Sequence, residues 1–104
     1  SRTDYPGKEI ARFIQTEWDN NFSNKIEIVF GNEWDAGNLS YNLKSRPKWT
    51  LKAPEQKNVG IIVIGNYDDN IYVNKICTFS HAPSQVVLLQ LKFFNHNVCM
   101  IGQK

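Results

Sequence analysis

The sequence predicts an α/β fold: a layered sandwich in which helices flank a mixed β-sheet that ends in a β-hairpin. Three observations carry this. Apolar residues recur every three or four positions near the N-terminus, an unbroken apolar run fills 59–64, and two strand-like runs near the C-terminus bracket a turn-prone triplet. With 104 residues, 41% of them apolar, the chain has material for one core and predicts a single domain.

Asp4-Tyr5-Pro6-Gly7 reads as a helix entry, since proline is tolerated where the first amide has no intrahelical partner. From Lys8 onward Ile10, Phe13, Ile14, Trp18 and Phe22 mark one face of an amphipathic helix of about four turns. Asp19-Asn20-Asn21 should end it, because these side chains compete for their own backbone. "IEIVF" at 26–30 is a short β-branched strand closed by Gly31. Residues 32–43 read as a second helix with Trp34, Leu39, Tyr41 and Leu43 as apolar anchors, weakened by Gly37.

A short strand is expected at 48–51, then a polar connection over 52–58 containing Pro54. "VGIIVI" at 59–64 lacks polar alternation, as a central strand buried on both faces does. After Gly65-Asn66, residues 67–76 fit a capped short helix slightly better than a strand. Residues 81–84 form a loop, and 86–94 and 98–101 flank Asn95-His96-Asn97 as a terminal hairpin.

Twelve basic against ten acidic residues give a formal charge of +2 without like-charge runs, which indicates neither nucleic acid nor an anionic membrane surface as a partner. No window reaches the roughly 20 apolar residues of a membrane helix. The chain starts at Ser without Met or a signal peptide, and the expectation is an excised fragment of a longer protein. Cys77 and Cys99 sit in apolar surroundings, where two buried thiols fit better than a disulfide.

Phosphate-loop, dinucleotide and zinc-protease motifs are absent. His81 and His96 both fall in expected turns and read as surface histidines. Asp68-Asp69 could hold a cation or activate a hydroxyl, although acidic residues in a first helical turn are more simply explained by the helix dipole. Asn21-Phe22-Ser23 and Asn38-Leu39-Ser40 match a glycosylation pattern that is common by chance.

The segment "VFGNEWDAGNLSYNLKSRP" at 29–47 offers more. It lies past the carboxyl end of a strand, where open α/β sheets place ligands. Asn32, Glu33, Asp35 and Asn38 could hydrogen-bond sugar hydroxyls beside the flat face of Trp34. The structural alternative is that Asn32 caps a helix, Asp35 answers it three residues on, and Trp34 packs inward.

Tyr5-Pro6-Gly7-Lys8-Glu9, Gly31, Glu33-Trp34, Ala36-Gly37-Asn38-Leu39, Tyr41 and Arg46-Pro47 together carry a resemblance. In order and spacing this pattern resembles the soluble C-terminal region of bacterial membrane glycosyltransferases of family 39, relatives of the dolichyl-phosphate-mannose protein mannosyltransferases. The likeness covers the first half of the chain well and the second half in outline. It implies a polytopic parent in the bacterial inner membrane that transfers sugar from a polyprenyl-phosphate-linked donor on the periplasmic side. Its catalytic acidic residues would lie in the membrane portion, leaving this domain without activity, cofactor or metal of its own.

The implied partners are the membrane portion of the same polypeptide and a carbohydrate or lipid-linked sugar, with Asn32, Glu33, Trp34, Asp35, Asn38, Tyr41 and Arg46 as the contact surface. The rival readings are a small standalone enzyme acting on a sugar or nucleotide through Asp68, Asp69 and His81, and a protein-interaction module.

Overall fold

A computed structural model describes residues 5–53, 58–69, 73, 77 and 85–104. Helix α1 spans Gly7–Asn21, strand β1 Ile26–Phe30, helix α2 Glu33–Asn42, strand β2 Lys48–Thr50 and strand β3 Gly60–Asn66. One 3-10 turn covers Tyr67–Asp69 and another, Lys92–Phe94, separates strand β4 (Gln85–Leu91) from β5 (His96–Gly102). The strands form one five-stranded sheet in the order β2-β1-β3-β5-β4. β2, β1 and β3 run parallel and the β3–β5 and β5–β4 pairs antiparallel, so the sheet is mixed and the fold is α/β.

Alternation along β3 explains its unbroken apolar run. Ile62 and Ile64 point to one face, where they join Ile10, Ile14 and Trp18 of α1 and Ala36 and Leu39 of α2. Ile61 and Val63 point to the other, against Val73, Cys77 and Cys99. Apolar side chains are wanted on both faces, so no polar residue interrupts the strand.

A bulge sets the phase of β1. Ile26 pairs with Gly60 and Ile28 with Ile61, leaving Glu27 as the extra residue. The shift lets Ile26 and Val29, three apart, both join the cluster beneath the helices. Gly60 is required at this joint, because a Cβ there would run into the Lys25 carbonyl.

Several expectations need correction. Phe13, placed on the buried face of α1, is 44% exposed, and Trp34 and Tyr41, expected as anchors of α2, are 45% and 68% exposed. The buried stripe of α1 is narrower than the apolar one, and α2 is held by Ala36, Leu39 and Leu43. Gly65 and Asn66 continue β3 instead of ending it.

The hairpin turn lies earlier than expected. Asn95 alone takes the left-handed conformation (φ 58°), while His96 and Asn97 enter the ladder opposite Leu91 and Gln90. Both are buried, so His96 is not a surface histidine.

Cys77 and Cys99 are buried as expected, but they are joined in a disulfide with their Cα atoms 6.2 Å apart, an ordinary span for the bond. Apolar burial suits either state, and only the meeting of Cys77 with β5 decides between them. The expected short helix after Asn66 is met at its start by the turn Tyr67–Asp69; its remainder, apart from Val73 and Cys77, lies outside the described residues.

Candidate functional site

The parallel strands β1 and β3 end where α2 begins, and Gly31 makes that junction possible. A Cβ there would stand 2.6 Å from the Ile64 carbonyl oxygen, too close for any other residue. The Gly31 carbonyl accepts from the Trp49 indole at 3.0 Å, which fixes the exit of β1 against β2.

Asn32 then caps α2. Its Oδ1 accepts the Asp35 amide at 2.8 Å while its Nδ2 donates to Asp35 Oδ2 at 2.8 Å, so the capping role expected of this pair is the one it performs. The other Asp35 oxygen lies 3.0 Å from the Tyr5 hydroxyl, which donates to it, and 2.9 Å from His96 Nε2.

Asp35 and His96 are only 5% and 6% exposed, and three segments of the chain meet at one carboxylate. Burial by itself would raise the Asp35 carboxyl. The hydrogen bonds from His96, Asn32 and Tyr5, with the charge attraction of His96, outweigh it and hold the group below the usual carboxylate range. Burial, the Asp35 charge and the bond to it all push the Tyr5 hydroxyl upward.

His96 held by a carboxylate has the form of a base and its orienting partner. Its buried Nδ1 has no hydrogen-bond partner among the described residues. No group of three His, Cys, Asp or Glu among the described residues could hold a metal. The cluster acts as a strut. Tyr5 also meets Trp34 edge to face at 5.3 Å between ring centroids, and a Cβ on Gly7 would come within 3.0 Å of Asn42 Nδ2, so the entry to α1 is seated on α2.

The seven expected contact residues therefore separate. Asp35 is buried and Asn32 spends its amide on the cap, so neither is available to a ligand. Trp34, Asn38 and Tyr41 lie at i, i+4 and i+7, one stripe along α2 about 10 Å long. Asn38 Nδ2 donates to the Trp34 carbonyl at 2.7 Å.

Gly37 belongs to the same stripe, and a Cβ added there would meet nothing within 4 Å, so packing does not require the glycine. Arg46, with a positive φ of 48°, lays its guanidinium 4.8 Å from the Tyr41 ring centroid. Glu33 is exposed at the other end. Of the expected surface, two aromatic side chains with an amide between them, a side-chain-free notch and a cation at one end lie together on this stripe.

Of the rival constellation, Asp68 is exposed in the turn Tyr67–Asp69 and His81 lies outside the described residues. The sequence reading missed His96 and Tyr5 as functional partners of Asp35. The asparagines on either side of His96 gave it the look of a turn, and nothing local linked residues 61 positions apart. Compared with known proteins, the chain matches no family model, no curated protein and no solved structure.

Proposed function

We propose that this chain is a non-catalytic, extracytoplasmic domain of a membrane glycosyltransferase that uses a polyprenyl-phosphate-linked sugar, and that the outer stripe of α2 contacts carbohydrate of the donor or acceptor. One observation carries the reading. The two separated segments that resemble family 39, residues 5–9 and 31–47, meet through the Tyr5–Asp35 bond, the Tyr5–Trp34 ring contact and the seating of Gly7 on Asn42. A motif split across the sequence is thus one physical unit, with its aromatic residues turned outward.

The disulfide adds support, because such bonds persist in oxidising compartments like the periplasm. No described helix is long and apolar enough to cross a membrane, so in this reading the spans belong to another part of the polypeptide. Stacking on Trp34 and Tyr41 would recognise an uncharged sugar ring, with Asn38 and Arg46 positioned for its hydroxyls.

Two measurements test this. Amide shifts and tryptophan fluorescence should respond to millimolar hexose or disaccharide, with the perturbed amides confined to 33–47. Silence at Trp34 and Asn38 would remove the carbohydrate contact. The complete coding sequence should carry several hydrophobic spans, and a coding sequence without them would remove the transferase.

A further inference from the structure

Beside that stripe, a groove of about 380 Å³ separates α2 from α1. That volume lies within the range of small-molecule sites, at its lower end. Its wall on α1 carries Lys8 and Arg12, with Gln15 and Thr16 beyond them, and its opposite wall carries Asn42 and Lys44. Three of its lining residues are cations and none is a carboxylate. A second depression of about 300 Å³, around Lys25, Arg46 and Lys48, includes Glu27 and lacks this one-sided charge.

The arrangement is not explained by stability. Lys8 and Arg12 stand four apart on one helix face, where like charges repel. Among the described residues, neither has a carboxylate within 4 Å; Lys44 does, at 3.7 Å from Asp19, a loose pair in which both side chains are more than half exposed. Among the described residues, the cations nearest the start of α1 are therefore without a carboxylate. Lys8 also lies in the first turn, at the positive end of that helix.

We propose that this groove binds the phosphate of a phosphate ester. Arg12 offers a planar fork of N–H donors that matches two phosphate oxygens, and Lys8 adds a mobile point charge. Lys44, just past the end of α2, offsets the negative end of that helix and completes the ring of charge. The organic part of the ester lies toward Asn42, Gln15 and Thr16. Two sources share this chemistry, a soluble sugar phosphate and a phospholipid headgroup. The groove would serve either whether or not the parent is a sugar transferase.

The whole chain is titrated at low ionic strength with inorganic phosphate and with glucose 1-phosphate, followed by amide shifts. It is also sedimented with vesicles of phosphatidylcholine alone and with phosphatidylglycerol added. The expected result is a saturable shift at Lys8, Arg12, Asn42 and Lys44, at least fivefold weaker in the double variant Lys8→Gln/Arg12→Gln and weakened again by 0.5 M salt, about one Debye length of 4 Å.

Shifts with glucose 1-phosphate but no sedimentation identify a soluble ester. Sedimentation that requires phosphatidylglycerol and disappears in the double variant identifies a lipid headgroup. No saturable shift and no sedimentation, or equal binding by the double variant, overturns the proposal. Both substituted positions are exposed, and an unchanged amide spectrum in buffer verifies that the variant is folded. Failure here would leave the hexose response on the α2 stripe and the hydrophobic spans of the parent as separate questions.

Discussion

Asp35 collects bonds from Tyr5, Asn32 and His96 where water hardly reaches, so its charge is held by neighbours that would themselves be stranded without it. Removing one partner of a buried pair is far more damaging than never having built it. Asp35→Ala should therefore lower stability by about 3 kcal/mol, read from urea unfolding. Asp35→Asn isolates the charge.

The folded carboxyl is held below its unfolded value of about 3.9, so its contribution is complete above that pH and is lost as pH falls through the folded value. The wild type should lose stability as pH falls below the unfolded carboxylate value, more steeply than Asp35→Asn. Parallel curves would show that the charge does not matter.

Two glycines of the same element make opposite demands. Gly31, at the entry to α2, faces the Ile64 carbonyl, whereas Gly37, inside the helix, faces open space. Gly37→Ala should stabilise the protein by about 0.5–1 kcal/mol, because the added methyl meets nothing and the helix loses its least favourable residue short of proline. Gly31→Ala should destabilise it by about 1–3 kcal/mol through overpacking. Thermal unfolding of the two variants decides, and a loss of stability in Gly37→Ala would mean that the position is packed.

At the scale of the molecule, the helices cover one face of the sheet, and Val73 and Cys77 pack on the other. The disulfide ties Cys77 to β5 and closes a loop of sequence separation 22. Loop-closure entropy assigns such a bond about 3 kcal/mol. Reduction, or Cys77→Ala with Cys99→Ala, should lower the unfolding free energy by that order, and thiol titration of the protein unfolded in urea should find no free cysteine before reductant is added. An unfolded, unreduced protein that titrates two thiols would remove the tie and, with it, the compartment argument. Beside this core, Val86 and Leu88 of β4 are 41% and 52% exposed.

The fold class, both helices, the central strand and the capping of α2 by Asn32 were legible in the sequence, because each is written in neighbouring residues: a period of three to four, an apolar run, a side chain that bonds the next turn. The outward aspect of Trp34 and Tyr41, the joining of Cys77 to Cys99 and the burial of His96 were not. Those depend on which residues distant in the chain come together, on a bulge at Glu27 that sets the phase of β1 and on a turn at Asn95 that sets the register of β5. A side chain's type states what surroundings it tolerates; only the packed structure decides which of those surroundings it receives, and for Asp35 that difference converted an expected ligand residue into the strut beneath the surface.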